Sequence, residues 1–238
     1  MSQLHIRATA DDLAPFVLLP GDPNRARFIA ETFFDDPVCY NDYRQLLGYT
    51  GRYRGMPVSV QTTGMGCPSL AIVVEEIIRL GAKHLVRVGT AGIIDTTIQP
   101  ADLVVATASV PRDGTTRMYL QGDPYAPAAT FGLTRTLADT AAEQDKAVHV
   151  GLIQTEDAFY VTTPDDVATL AARGILAVEM EASALFTLGK LRRVDTGCML
   201  VASNYIGDPQ FVDPDVLQAS VHKMVAATLE AGYRLHHT

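Results

Sequence analysis

The 238-residue sequence has no tryptophan and only three cysteines, Cys39, Cys67 and Cys198, which lie far apart. No C-x-x-C pair exists, so neither a disulfide framework nor a structural zinc site is indicated; buried thiols in a reducing cytosol are the plain reading. No apolar run approaches the roughly 18 residues of a membrane span. The first residues, Met1-Ser-Gln-Leu-His-Ile-Arg7, lack the basic stretch and apolar core of a secretory signal. These absences point to a soluble cytoplasmic protein. Basic charge is scarce: 19 Lys and Arg against 27 Asp and Glu leave a net charge of −8. That argues against non-specific nucleic-acid binding, which needs broad basic surface, but a few local arginines can still hold a small anion. Low-complexity segments, internal repeats and Ser/Gly linkers are missing too, so one domain over residues 1–238 is expected.

What is present reads as globular: 47% of residues are apolar and 19% charged, and a chain of this length can bury a sizeable core. Short apolar runs predict strands at Phe16-Val-Leu-Leu, Pro57 to Thr63, His84 to Val88, Asp102 to Ala108, Val148 to Gln154, Ile175 to Glu179 and Thr196 to Ser203. Helical patterns fall at Asn24 to Phe34, Leu70 to Leu80, Thr130 to Glu143, Pro164 to Arg173, Ala182 to Lys190 and Pro214 to Leu235. Strands alternating with helices predict an α/β fold with a largely buried sheet. In such sheets ligands sit outside the strand C-terminal ends. The loops there are 20–25, 64–69, 87–92, 155–160, 179–181 and 203–208.

Three of these loops carry chemistry. Gly21-Asp-Pro-Asn-Arg25 follows a strand and opens a helix, so a small backbone, free N–H groups and a guanidinium converge, as an anion requires. A surface Arg25 on an ordinary strand–turn–helix is the competing reading. Arg87 interrupts a strand that otherwise reads as buried, and Gly89-Thr90-Ala91-Gly92 is read as the turn that ends it. A buried arginine needs an anionic partner, either a ligand or a nearby carboxylate. The spacing fits neither a dinucleotide fingerprint nor a Walker loop. Glu179-Met180-Glu181 sits where a strand enters a helix; its carboxylates can accept from adjacent sugar hydroxyls, or complement the helix dipole. Arg44 alone looks like a surface charge. His84, His149, His222, His236 and His237 show no metal-ligand spacing.

Together these elements resemble the nucleoside phosphorylase family, in its hexameric purine branch. The text that carries the resemblance is Leu19-Pro-Gly-Asp-Pro-Asn-Arg-Ala, Ile29-Ala-Glu-Thr-Phe, Leu47-Gly-Tyr-Thr-Gly-Arg-Tyr, Gly64-Met-Gly-Cys-Pro-Ser, Arg87-Val-Gly-Thr-Ala-Gly, Asp157-Ala-Phe-Tyr and Val178-Glu-Met-Glu-Ala. It runs from His5 to roughly Asp208. The resemblance implies a three-layer α/β/α domain around a twisted mixed sheet. It implies phosphorolysis of purine ribonucleosides without a cofactor, inorganic phosphate being the co-substrate. By that resemblance Gly21, Arg25, Arg87 and Thr90 hold phosphate, with Arg44 reaching it from a neighbouring subunit. Met65, Met180 and Glu181 line the ribose, and a neighbour's His5 meets its 5′-hydroxyl. Gly92, Phe159, Val178 and Ser203 surround the base. The implied assembly is a hexamer, a trimer of dimers that share their sites.

One departure stands out. The purine branch carries an aspartate after the serine of the late strand, which protonates the base at N7, and a helper arginine further on. Here Ser203 is followed by Asn204, and Asp213-Pro-Asp-Val-Leu-Gln218 has no arginine. Asparagine is no general acid, yet it offers one acceptor oxygen and two N–H donors. An N–H can stabilise the O6 of a 6-oxopurine as charge develops there, so guanosine and inosine are expected to outrun adenosine. Asp208 swinging in as the acid is the alternative. Uridine phosphorylase is a competing identity, but its branch has an insertion with Gln and Arg after the Phe-Tyr element, and here Phe159-Tyr-Val-Thr-Thr-Pro runs directly into a helix. A nucleosidase would leave three arginines unexplained, and a non-catalytic nucleoside-binding protein is the reading that Asn204 favours.

Overall fold

The computed structural model describes residues 3–145, 147–208, 210 and 212–237. Among them the strands are β1 (Phe16–Leu19), β2 (Asp35–Asn41), β3 (Gly48–Tyr53), β4 (Met56–Gln61), β5 (His84–Ile93), β6 (Leu103–Arg112), β7 (Val148–Glu156), β8 (Ala177–Glu179) and β9 (Asp195–Tyr205). The helices are α1 (Pro23–Phe33), α2 (Cys67–Arg79), α3 (Gly114–Tyr119), α4 (Phe131–Gln144), α5 (Pro164–Ala172), α6 (Ala182–Arg192) and α7 (Pro214–His236). All nine strands join one mixed sheet, ordered β2-β3-β4-β1-β5-β8-β7-β6-β9. Because β9 also pairs with β5, the strands β5, β8, β7, β6 and β9 close into a ring.

Residue type explains this layout. All four residues of β1 are buried, as a strand covered on both faces demands. On one face α2 and α6 contribute Leu70, Val74, Ile77, Leu185 and Phe186 to a continuous core. On the other, α1, α4 and α7 contribute Ile29, Leu133, Leu137, Met224 and Val225. The expected α/β/α layering around a mixed sheet is therefore observed. Helix α6 is buried without a break from Ala182 to Gly189, so it has no polar face to show.

Three expectations need correction. The Gly89–Gly92 stretch does not end a strand; β5 runs through it to Ile93. The glycines serve the strand instead. The Arg87 guanidinium folds across Gly89, where a Cβ would lie 2.9 Å from it, and Ile206 occupies the space beside Gly92. A register shift against β9 falls between Ala91 and Gly92. Second, residues 35–41, 48–53 and 114–119, to which the sequence pattern assigns no element, form β2, β3 and α3; β2 lies at the sheet edge with its first five residues exposed and Pro37 within it. Third, Cys39 on that edge is exposed, while Cys67 and Cys198 are buried as expected.

The N-terminal segment is tied down by one buried carboxylate. Glu76 of α2 accepts the backbone N–H groups of His5 at 2.9 Å and Ile6 at 2.8 Å, and its other oxygen lies 2.8 Å from His5 Nδ1. Burial opposes the charge, but the bonds from His5 and Ile6 hold the Glu76 carboxyl below its ordinary range. Glu76→Ala orphans the buried Ile6 amide and is expected to cost about 2 kcal/mol. Urea unfolding checks this, and an unchanged midpoint contradicts it. No helix among the described residues is long and apolar enough to cross a membrane.

Candidate active site

The six loops outside the strand ends meet in one cavity of about 850 Å³. At one end the turn after β1 lies against the turn after β4: Thr63 N–H donates to Pro20 O at 2.9 Å. A Cβ on Gly21 would lie 3.0 Å from the Gly64 carbonyl, so the close approach depends on glycine. Asp22 caps α1 by accepting from Asn24 N–H at 2.8 Å, which sets the helix that carries Arg25. Arg25 donates to Val88 O of β5 at 3.2 Å. No carboxylate among the described residues comes within ion-pair distance of it. Burial first, and then the neighbouring Arg87, lower its affinity for its own proton. Two guanidinium groups turned into one cleft, one of them unpaired, form a setting that an anion would relieve.

Arg87 is paired. Its Nε donates to Glu179 at 2.7 Å and its Nη2 to Glu181 at 2.5 Å. Burial opposes its charge, but Glu181 and Glu179 outweigh that and hold its pKa above the ordinary value. Both readings of the buried arginine thus find support in the geometry. A carboxylate partner exists, and the guanidinium still lines the cavity with N–H groups to spare. Glu181 accepts from Gly66 N–H at 2.5 Å with its other oxygen. Burial pushes its carboxyl up despite Arg87. Glu179 is enclosed completely and accepts from Thr155 Oγ1 at 2.5 Å, Glu181 N–H at 2.8 Å and Ala182 N–H at 3.0 Å. Its position at the end of β8 fixes the entry into α6, and hence the direction of Glu181.

At the other end stand Gly92, Phe159, Val178, Ser203 and Asn204. Adjacent strands bring three of them into register: Asn204 of β9 pairs with Gly92 of β5, which pairs with Val178 of β8. Ser203 Oγ can donate to Ala91 O at 3.0 Å or to Asn204 Oδ1 at 2.9 Å. The two hydrogens of Asn204 Nδ2 go to Tyr205 O at 3.0 Å and Asp208 O at 3.2 Å. Phe159 is 62% exposed and Met65 83%, so each offers an apolar surface to whatever fills the cavity.

The sequence pattern of the Phosphorylase superfamily matches residues 15–232. The chain belongs to this superfamily. A Clostridium perfringens protein described as a DeoD-type purine nucleoside phosphorylase is 42% identical over 233 residues, covering 98% of this chain and 99% of that one. DeoD-type purine nucleoside phosphorylases of Bacillus cereus and Bacillus cytotoxicus are 41% and 40% identical over 229 residues, covering 96% of this chain and 97% of each relative.

Within this superfamily member, Gly21, Arg25, Met65, Arg87, Thr90, Gly92, Phe159, Val178, Met180, Glu181, Ser203 and Asn204 all line the one cavity. His5 and Arg44 do not. His5 is bound to Glu76, and Arg44 is exposed in a short turn with φ of 57°, beside Tyr43. Asp208 lines the cavity rim, but its Oδ1 accepts from Gln210 N–H at 2.8 Å. Sequence reasoning passed over Glu179 as a scaffold and Glu156 as a cavity residue. The hint for Glu179 is an acid ending an apolar strand, and for Glu156 only its place in the loop 155–160.

Proposed function

We propose that this chain, read as one catalytic domain over 1–238, catalyses phosphorolysis of purine ribonucleosides to the free base and ribose 1-phosphate. The observation that carries the reading is Arg25, a desolvated cation with no carboxylate in ion-pair distance among the described residues, set beside Arg87 in the cavity that Gly21 and Glu181 also line. The purine nucleoside phosphorylase relatives support the same reaction. Phosphate is the co-substrate, held by Gly21, Arg25, Arg87 and Thr90, and no cofactor is needed. Glu181 accepts from the ribose hydroxyls, and Met65 and Met180 cover the sugar. Gly92, Phe159, Val178, Ser203 and Asn204 enclose the base.

The chemistry follows from charge. Cleavage passes through an oxocarbenium-like sugar with negative charge gathering on the departing base. Phosphate beneath the ring is both counter-charge and nucleophile, so fixed placement supplies much of the rate. Asn204 cannot protonate N7. Its N–H can stabilise a developing charge on O6 of a 6-oxopurine, displacing the longer of its two loop bonds, that to Asp208. With adenosine the amide binds the base as well before cleavage as during it, which adds no rate. We therefore read inosine and guanosine as the preferred substrates.

His5 and Arg44 lie outside this chain's own cavity, which fits their serving the site of a neighbour in a hexamer built from dimers. Light scattering of the purified chain is expected to give six copies, and Arg44→Ala is expected to raise KM for phosphate without unfolding the chain; a monomer active at full rate contradicts both. The deciding assay for the reaction is release of base from guanosine, inosine and adenosine with and without phosphate. Phosphate-dependent release with adenosine slowest is expected. Release without phosphate overturns phosphorolysis, and adenosine equal or ahead overturns the base preference.

A further inference from the structure

We propose that Glu156 reads the base: its carboxylate accepts from the N1–H and the 2-amino group of a guanine-type purine, making guanosine the favoured substrate. The proposal rests on the purine reading above and adds a residue and a narrower class to it. Glu156 is the last residue of β7, half-buried, and it lines the cavity. Its place in the sheet is fixed by register. Gln154 of β7 pairs with Val178, Val178 with Gly92, and Gly92 with Asn204. Four neighbouring strands therefore carry Asn204 and Gln154 about 14 Å apart, three strand spacings, with Gly92 and Val178 as the floor between them. Residues two apart on a strand share a face, so Glu156 stands on the Gln154 side of that floor. Asn204 and Glu156 thus flank the base end from opposite sides.

The carboxylate is held for this task. Gln154 Nε2 donates to one of its oxygens and Thr162 Oγ1 to the other at 3.0 Å. Each oxygen keeps a further acceptor site, and no Lys or Arg among the described residues pairs with Glu156. A half-buried carboxylate lining an apolar-floored cavity, oriented by two neutral donors, is a ready acceptor for two parallel N–H groups. The edge of guanine opposite N7 and O6 offers that pair. Hypoxanthine offers one of the two. Adenine turns a bare N1 lone pair toward the same place, and the carboxylate repels it. Asn204 on the O6 edge and Glu156 on the N1 edge then select the same base from both sides.

The test compares guanosine, inosine and adenosine at saturating phosphate in the unaltered chain, Glu156→Ala and Glu156→Gln. In the unaltered chain guanosine is expected to lead inosine in kcat/KM. Glu156→Ala is expected to lower guanosine by about 10- to 100-fold, inosine less, and adenosine hardly at all, since a good bidentate base contact discriminates by about 1–3 kcal/mol. Glu156→Gln, whose amide can donate to N1, is expected to raise adenosine relative to guanosine. An unchanged guanosine-to-inosine ratio overturns the proposal, as does an equal fall for all three, which marks a structural role. Calorimetric titration with guanosine needs no turnover and separates the two readings. Weaker binding by Glu156→Ala in a chain that cleaves no purine nucleoside supports base reading and overturns the catalysis. Equal binding by both overturns base reading.

Discussion

Arg87→Ala is expected to lower phosphate-dependent kcat/KM at least 10³-fold and to cost about 3–5 kcal/mol of stability, whereas Arg25→Ala should lose about 10²-fold in activity at no cost in stability. The two arginines share a cleft and differ in what surrounds them. Arg87 neutralises Glu179 and Glu181, both buried. Its removal leaves two buried carboxylates without a counter-charge, Glu179 fully enclosed and Glu181 at the cavity wall. Arg25 has no such debt: it bonds only a backbone carbonyl, and both its burial and Arg87 disfavour its charge. A cation whose pKa is lowered by folding destabilises the fold while charged, so its loss leaves the midpoint of unfolding unchanged or slightly higher. Arg87→Lys separates charge from geometry. A lysine restores one positive charge, and with it part of the stability, but cannot reach Glu179, Glu181 and phosphate together. Urea denaturation and phosphate saturation curves on the three variants give the answer. A destabilised Arg25→Ala beside a stable Arg87→Ala would sink the assignment.

The contrast also shows why some of this site was legible in sequence and some was not. Arg87 could be found because a charge inside a buried apolar strand is conspicuous. The six loops could be found because strands ending in Gly, Glu or Ser were marked by apolar runs such as Phe16–Leu19 and Thr196–Ser203. What lies between them depends on strand order and register, which one-dimensional patterns do not carry. The pairing of β9 with both β5 and β6 closes the ring and sets Asn204 beside Gly92, two segments more than a hundred residues apart. In sequence Glu179 and Glu181 are equivalent, since both flank Met180. Only the fold separates them: one carboxylate is enclosed by donors, while the other faces the cavity. Glu156 has no spacing signal at all; a lone acid at a strand end is ordinary until the neighbouring strands are placed. The Gly89–Gly92 stretch misled for a related reason. Glycines read as a turn, but here they admit the Arg87 guanidinium and Ile206 against a continuing strand.

Asn204→Asp is expected to raise kcat/KM for adenosine about 10²-fold, the lower end of what a placed general acid contributes, and to raise guanosine far less. The surroundings favour the protonated form of the new side chain. Asn204 Nδ2 now donates to the carbonyls of Tyr205 and Asp208. A carboxylate oxygen in that place would face two acceptors, and Glu156 and Asp208 add like charge to the same cavity. Both effects push its pKa upward, so the acid carries its proton nearer neutral pH. The cavity's two arginines, Arg25 and Arg87, sit at the opposite end, and the start of α7 supplies no arginine to draw the proton off. Adenosine gains because nothing else at this site offsets charge on its departing base, whereas guanosine already has O6 to share it. Two signatures distinguish proton donation from a mere change of shape. Adenosine cleavage by Asn204→Asp should fall as pH rises through the new carboxyl's pKa, a limb absent with asparagine. A guanosine methylated at N7 leaves as a neutral base and needs no proton, so its rate should stay within about threefold across the two proteins. If the methylated nucleoside follows the same change as adenosine, residue 204 acts through geometry, and the missing acid does not set the base preference.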